Sequence, residues 1–182
     1  GQGVQTDRLE QLIVEHRPKF VYLIPTFGNP SGATLSLERR RKVLELAVKY
    51  QTVVVEDDPY GDLYFGEAPP PSLLALSREV PGSREWLVHC GSLSKVLSPG
   101  LRVGWMIAPA ALLAKATMCK QFSDAHTSTF AQATAARYLQ AGRMPATLAR
   151  VRQVYAERAQ AMGDALRRAL GDAISFVPPQ GG

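Results

Sequence analysis

The sequence predicts an α/β fold of three layers, in which helices cover both faces of a mainly parallel sheet. Predicted strands and helices alternate along the chain, and three more helices follow the last strand. Each predicted strand is a short continuous run of apolar residues, which is typical of strands that are buried on both faces. The chain has 182 residues, of which 46% are hydrophobic, and this is enough apolar material for a core.

Four strands are predicted from short runs of β-forming residues between turn residues. They cover residues 20–24, 52–55, 86–90 and 102–108. A polar loop follows each of the first three strands, and these loops cover residues 25–32, 56–61 and 91–100. Ligands of α/β sheets bind in the loops beyond the carboxyl ends of the strands, so these loops are the predicted site.

The helices are predicted from apolar residues at helical spacing. They cover residues 7–16, a segment that begins at Ser36, a short stretch near residues 72–76, and residues 110–122, 127–141 and 146–170. Asp7 is the expected N-cap of the first helix. Ser36 precedes Arg39 by three residues where a complete capping box has a glutamate, so we expect only the serine half of that motif.

The charge pattern does not favour a nucleic-acid surface. The formal net charge is +5, and it arises mainly from arginines spread along the predicted helices. No basic cluster alternates with aromatic residues. We therefore expect these arginines to lie on solvated helix faces, including the run Arg39, Arg40 and Arg41.

Cysteine usage and hydropathy indicate a cytoplasmic protein. Cys90 and Cys119 have the spacing of neither a disulfide framework nor a metal site, and we expect reduced thiols that are buried or half-buried. We also expect Trp105 to lie in the core. No apolar run reaches transmembrane length, and no export signal is present. The chain begins at Gly1 without a methionine and ends at Gly182 without a closing element, so we expect a piece of a longer protein.

Polar side chains concentrate in the three loops and at the start of the fourth strand. A lysine nucleophile beside an anion-binding cluster suits a Schiff base with a phosphorylated aldehyde, and pyridoxal 5′-phosphate (PLP) is such an aldehyde. PLP needs an acid at its pyridine nitrogen, donors for its O3′ oxygen, and hydroxyls with a guanidinium for its phosphate. Singly, each residue is explained by a turn, a cap or a solvated surface, but together they supply every group: Asn29, Asp57, Tyr60, Ser92, Ser94, Lys95 and Arg102.

Three motifs resemble the signatures of the fold type I aminotransferases, classes I and II. Residues 92–105 match S-x-S-K-x-x-x-P-G-x-R-x-G-[YW], residues 29–32 match N-P-[TS]-G, and residues 57–60 match D-x-x-Y. The likeness covers essentially the whole chain. It implies PLP as the cofactor, an amino acid and a 2-oxo acid as substrates, and a homodimer with active sites at its interface.

The resemblance also implies a role for each site residue. Lys95 would form the Schiff base and would then move a proton during amino transfer. Asp57, selected over its acidic neighbours by the D-x-x-Y spacing, would pair with the pyridinium nitrogen. Tyr60 and Asn29 would bind O3′. The phosphate would be held by Ser92, Ser94 and Arg102.

The resemblance further implies that the chain is incomplete at both ends relative to the family. Residues 1–170 would be the central part of the PLP-binding large domain, and residues 171–182 would begin the connection to a C-terminal small domain. That small domain carries the arginine that grips the substrate carboxylate in the family. We therefore expect little or no transaminase activity from these 182 residues alone.

Two functions stay open within this resemblance. The segments around Asn29 and residues 124–128 are similar to the 2-aminoadipate and kynurenine aminotransferases and to the C-terminal domains of MocR-type transcription regulators. The form of the Asn29 motif favours the enzymes. A regulator would carry a winged helix-turn-helix upstream, and nucleic acid would be a partner only in that case. Other fold type I reactions use the same cofactor motifs, so the reaction type depends on analogy.

Overall fold

The structure is a computed structural model that describes residues 3–182. Within that range the helices and strands are α1 Thr6–His16, β1 Phe20–Leu23, α2 Leu37–Tyr50, β2 Val53–Asp57, α3 Leu73–Leu76, β3 Leu87–Ser92, β4 Gly104–Ile107, α4 Ala110–Ser123, α5 Thr129–Gln140 and α6 Met144–Leu170. Short turns of 3-10 helix lie at Ser83–Trp86, Pro99–Leu101 and Gly171–Ala173. Every predicted helix and strand is present, with small shifts at the ends.

The strands form one sheet in the order β1-β2-β3-β4. The pairs β1–β2 and β2–β3 are parallel, whereas β4 runs antiparallel to β3. The predicted mainly parallel α/β sheet is confirmed. Strand β4 is antiparallel because only residues 93–103 separate it from β3, and these fold into a tight turn and not into the helical crossover that a parallel neighbour needs.

The starts of the first two helices show which capping predictions hold. Helix α1 begins one residue earlier than predicted, with Gln5 at the N-cap position, so the prediction that Asp7 caps it is wrong. Asp7 instead lies in the first turn, where its negative charge interacts favourably with the positive end of the helix dipole. Ser36 caps α2 as predicted, because its Oγ accepts from the Arg39 amide at 3.3 Å.

The main core lies between one face of the sheet and helices α1, α2 and α3. It includes Leu44, Leu46, Val54 and Leu73, none of which exposes more than 2% of its surface. The opposite face of β1 is open in the described residues, since Phe20 is 57% exposed. The predicted burial on both faces therefore fits β2 and β3 better than β1 and β4.

Two expectations about buried side chains are wrong near β4 and α4. Cys90 is half-buried as expected, but Cys119 is exposed because α4 buries none of its residues among those described. Trp105, expected in the core, is 46% exposed. Its ring lies on Gly91 of the paired strand, where an added Cβ would approach it to 2.3 Å, so any larger residue at that position would displace the indole.

A second, smaller core lies between the loop after β2, the loop after β3, and helices α5 and α6. Leu63, Leu93, Val96 and Ala135 are its buried members. The last residues of the chain return to this region, since Gly182 donates from its amide to the Leu63 carbonyl at 3.0 Å. No helix within residues 3–182 is long and apolar enough to cross a membrane.

Candidate active site

The end of β2 carries three consecutive acids that face different surroundings. Glu56 is fully buried and accepts hydrogen bonds from the Leu73 and Leu74 amides, at 2.6 and 3.0 Å, and pairs with His89 at 2.8 Å. These bonds anchor the start of α3 beneath the sheet. The contact with Glu56 raises the pKa of His89.

Asp58 is occupied by the turn that follows the strand. Its Oδ1 accepts from the Gly61 amide at 3.0 Å, and its own amide bonds the Cys90 carbonyl at 2.9 Å. Burial raises the pKa of its carboxyl, with the nearby charge of Glu56 adding to the effect. Asp58 and Glu56 therefore have structural partners within the domain.

Asp57 lies on the open face of the sheet. It is the last residue of β2 and pairs with Cys90 of β3. Its Oδ2 accepts a hydrogen bond of 2.5 Å from the hydroxyl of Tyr22, on β1. The alternation of side chains along a strand puts Asp57 on the face opposite to Glu56. Among the three acids, Asp57 is thus the one available to a ligand.

Tyr22 is a site residue that sequence reasoning missed. It belongs to a predicted strand that looked uniformly buried, and its partner lies 35 residues away in sequence. The signal that could have revealed it is the parallel pairing of β1 and β2, which sets Tyr22 beside Val55, two residues before Asp57 on the same face. The hydrogen bond to Asp57 raises the pKa of Tyr22 to about 12.

The loop after β3 presents Lys95 to solvent from a rigid turn. The Leu93 carbonyl accepts from the Leu97 and Ser98 amides at 2.9 and 3.0 Å, and the Leu93 amide bonds the Val103 carbonyl at 3.0 Å. The side chain of Lys95 is exposed. Within residues 3–182, no hydrogen bond or ion pair engages its amine. The turn therefore holds a free amine above a buried backbone.

Two serines and an arginine form a compact cluster beside this turn. Ser92 Oγ accepts from the Ser94 amide at 3.1 Å, and Arg102 Nη1 donates to Ser94 Oγ at 3.3 Å and to the Pro99 carbonyl at 3.2 Å. Arg102 lies two residues before β4, whereas the prediction put it in the strand. Its backbone is left-handed, with φ of 54°, and ends the 3-10 turn. Hydroxyls and a guanidinium in contact are the donors that bind a phosphate.

The Asn29 loop is closed on itself. A single antiparallel bridge joins Gly28 to Ala33, and the Gly28 amide donates to the Ala33 carbonyl at 2.9 Å. Asn29 itself is exposed at the loop tip, and its bond to Pro30 is cis. The amide of Asn29 thus stands free for an external partner in the described structure.

Arg40 holds the base of that loop, which makes the prediction of a solvated arginine wrong. It is fully buried. Its guanidinium donates to the carbonyls of Pro25 and Leu35, each at 3.0 Å, and to Thr26 Oγ1 at 2.8 Å. A fourth bond of 3.3 Å reaches the Pro71 carbonyl. Both ends of the loop that carries Asn29 are therefore fixed to one side chain.

Tyr60 completes the set of predicted residues. It is half-buried, packs against the second core, and accepts from the Leu63 amide through its carbonyl at 2.8 Å. The hydrogen bond to Asp57 is the largest cause of the raised pKa of Tyr22, and a small electrostatic effect of Tyr60 adds to it. The structure therefore brings Asp57 and Tyr60 into one region and Ser92, Ser94 and Arg102 into another. Lys95 extends from the same loop as the two serines, and Asn29 extends from the loop after β1; neither side chain bonds either group.

The donor set fits PLP. The described structure offers a free amine, a carboxylate on an open sheet face, and hydroxyls bonded to a guanidinium, all in loops beyond the strands or at their ends. A mostly parallel α/β domain with this set belongs to the fold type I class of PLP-dependent proteins. The chain is a member of the aminotransferase class I and II family, whose model matches residues 1–182. PLP is the cofactor of this family.

Similar proteins include enzymes and regulators. A 2-aminoadipate transaminase of Thermus thermophilus is 43% identical over 100% of this chain and 45% of its own length. An uncharacterised HTH-type transcriptional regulator of Bacillus subtilis is 34% identical over 100% of this chain and 36% of its own length.

A solved structure matches the fold closely. LysN, an alpha-aminoadipate aminotransferase of Thermus thermophilus complexed with N-(5′-phosphopyridoxyl)-L-leucine, superposes with a TM-score of 0.92 and 42% identity. The match covers 100% of this chain and 46% of that chain. The chain thus spans less than half the length of the relatives that it matches.

Proposed function

We propose that the protein to which this chain belongs transfers an amino group between an amino acid and a 2-oxo acid, with Lys95 as the residue that carries PLP. The observation that carries this proposal is the free amine of Lys95 on a rigid turn, next to the bonded cluster of Ser92, Ser94 and Arg102. A lysine without a protein partner is available for covalent chemistry with an aldehyde.

Each side chain then has a task that follows from its chemistry. When bound, PLP supplies an aldehyde and a ring that accepts electrons. Arg102 and the two serines would hold its phosphate, and Asp57 would keep its ring nitrogen protonated. Tyr60 and Asn29 would donate to its O3′ oxygen. Lys95 Nζ would take a proton from the substrate carbon next to the amine and return it.

The similarity to a 2-aminoadipate transaminase supports 2-aminoadipate as the first amino acid to test. We further propose that residues 1–170 belong to the large, PLP-binding domain and that residues 171–182 begin the connection to a small domain. A homodimer and a cytoplasmic location complete the proposal. Kynurenine is the second amino acid to test, because the Asn29 loop resembles that branch of the family.

The test is amino transfer by the full-length gene product. We expect it to convert a 2-oxo acid to an amino acid with 2-aminoadipate or kynurenine as donor, and we expect Lys95→Ala to abolish this. Lys115→Ala, which removes a lysine of helix α4, is the matched control and should leave turnover unchanged. A wild-type protein that binds PLP but transfers no amino group from any amino acid offered would refute the proposed reaction.

A ligand-sensing domain of a MocR-type transcription regulator is the second candidate. It is supported by the regulator that matches 100% of this chain. A winged helix-turn-helix upstream in the gene, with specific DNA binding that changes when PLP is added, would favour it over the enzyme. The cofactor contacts proposed above would be the same in both cases.

A further inference from the structure

Tyr22 is the one exposed aromatic residue of β1 that reaches a predicted catalytic group. Phe20 and Tyr22 lie on the same face of the strand, with exposures of 57% and 53%. Phe20 has no polar atom to offer. The hydroxyl of Tyr22 bonds Asp57 Oδ2 at 2.5 Å, and this is the hydrogen bond that the structure gives to that carboxylate within residues 3–182.

The sheet fixes this contact through its register. Tyr22 is paired with Val55, and Asp57 follows Val55 by two residues on the same face. A tyrosine side chain is long enough to cover that step and bring its hydroxyl to the end of the neighbouring strand. The two backbones are held by the parallel ladder, so the contact does not depend on a flexible loop.

An ionised carboxylate can accept hydrogen bonds through both oxygens. Oδ2 of Asp57 is taken by Tyr22, which leaves Oδ1 for a ligand. We propose that Tyr22 is a positioning residue for Asp57: the Tyr22 hydroxyl orients the Asp57 carboxylate so that its other oxygen can pair with the pyridine nitrogen of PLP. This inference rests on the proposed function, because it needs PLP at the site.

The surrounding groups support this direction of the hydrogen bond. The titratable groups that act on Tyr22 are Asp57 of β2, Cys90 of β3 and Tyr60 in the loop after β2. The hydrogen bond to Asp57, and after it burial, are the main causes that raise the pKa of Tyr22 to about 12, so its hydroxyl keeps its proton at neutral pH and serves as the donor. A hydroxyl that donates to one oxygen of a carboxylate holds that carboxylate in one orientation.

The test compares Tyr22→Phe with wild type in the full-length gene product. Tyr22→Phe removes only the hydroxyl. We expect the dissociation constant for PLP to rise about tenfold, because a misplaced Asp57 carboxylate would lose about one charge-assisted hydrogen bond to the ring nitrogen. We also expect the apparent pKa of the absorbance change of bound PLP to rise. A ring nitrogen that holds its proton less firmly withdraws less electron density from the rest of the cofactor, so the titrating group of the cofactor releases its proton less readily.

Tyr50→Phe is the matched control. The Tyr50 hydroxyl donates to Glu10 Oε1 at 2.8 Å, so this variant also removes a bond from a phenol to a carboxylate, but between helices α1 and α2. It should change neither the affinity for PLP nor the absorbance. A double-mutant cycle adds a second control, since Tyr22→Phe should have no further effect on PLP affinity in an Asp57→Ala background.

Each outcome decides the matter. The proposal is overturned if Tyr22→Phe binds PLP with wild-type affinity and an unchanged absorbance profile, or if its effect persists in the Asp57→Ala background. It is also overturned if Tyr22→Phe lowers the melting temperature of the PLP-free protein severely, because the role is then structural. A wild-type protein that binds PLP on Lys95 while Tyr22→Phe is unaffected refutes this inference alone. A wild-type protein that takes up no PLP refutes the proposed function as well.

Discussion

Removal of the Arg102 guanidinium should weaken the binding of PLP through its phosphate. A guanidinium has five N–H donors, and the contacts with Ser94 Oγ and the Pro99 carbonyl both come from Nη1. The three donors on Nε and Nη2 face no protein acceptor in the described residues. They form the planar edge that can bind two oxygens of one phosphate.

The expected magnitude follows from the loss of two hydrogen bonds from the guanidinium to the phosphate. Hydrogen bonds to charged groups contribute about 1.5–3 kcal/mol each, and the exposure of Arg102 argues for the lower value. Two bonds at about 1.5 kcal/mol give about 3 kcal/mol, or an increase of roughly 100-fold in the dissociation constant for PLP. Arg102→Lys keeps the charge but not the fork, and we expect a loss of about tenfold.

The assay is a titration of the full-length gene product with PLP and, in parallel, with pyridoxal, which has the same ring and aldehyde without the phosphate. Arg102→Ala should weaken PLP binding and leave pyridoxal binding unchanged. Arg41→Ala removes an exposed arginine that pairs with Glu79 at 2.7 Å, and it is the control for a general charge effect. Equal losses for PLP and pyridoxal would show that Arg102 does not bind the phosphate.

Three further predictions concern the support of the site. Arg40→Met should lower the free energy of unfolding by about 3–5 kcal/mol in denaturant, because it leaves buried carbonyls of the Asn29 loop without a donor; a loss below about 1 kcal/mol would mean that these bonds do not hold the loop. The pair with Glu56 raises the pKa of His89, so protonated His89 stabilises the fold below about pH 6.5, and this contribution should be lost as pH rises through that raised pKa. Thermal unfolding of His89→Gln should lack this pH dependence. An unchanged profile would contradict the role of the pair with Glu56. Asp58→Ala should lower the unfolding free energy by about 1 kcal/mol with no loss of PLP affinity, since its carboxylate serves the turn at Gly61. Asp57→Ala, in contrast, should weaken PLP binding, and a normal affinity for PLP in that variant would contradict the role of Asp57.

The fold and most of the site could be predicted because their signals are local. Short apolar runs bounded by turn residues marked the strands, and the order of polar loops followed from them. The serine–lysine–arginine motif is contained in residues 92–102 of the loop after β3, so its members were bound to lie close together. The bonds among Ser92, Ser94 and Arg102 bear this out.

The residues that sequence reasoning misjudged depend on partners that are distant along the chain. Arg40 looked like its neighbours in an arginine run, and only the packing of the Asn29 loop against α2 makes it buried. Tyr22 looked like one more apolar residue of a buried strand until the pairing with β2 set it beside Asp57. Trp105 and Cys119 looked apolar enough for the core, but β4 and α4 leave both exposed.

The role of Lys95 is tested most directly by covalent trapping. The full-length gene product is incubated with PLP, reduced with borohydride, digested, and the pyridoxyl-bearing peptide is identified by mass spectrometry. We expect the label on the peptide that contains Lys95 and none in Lys95→Ala. A label on Lys19, Lys42, Lys49, Lys115 or Lys120, or no label on the wild-type protein, would contradict the assignment of Lys95 as the residue that carries the cofactor.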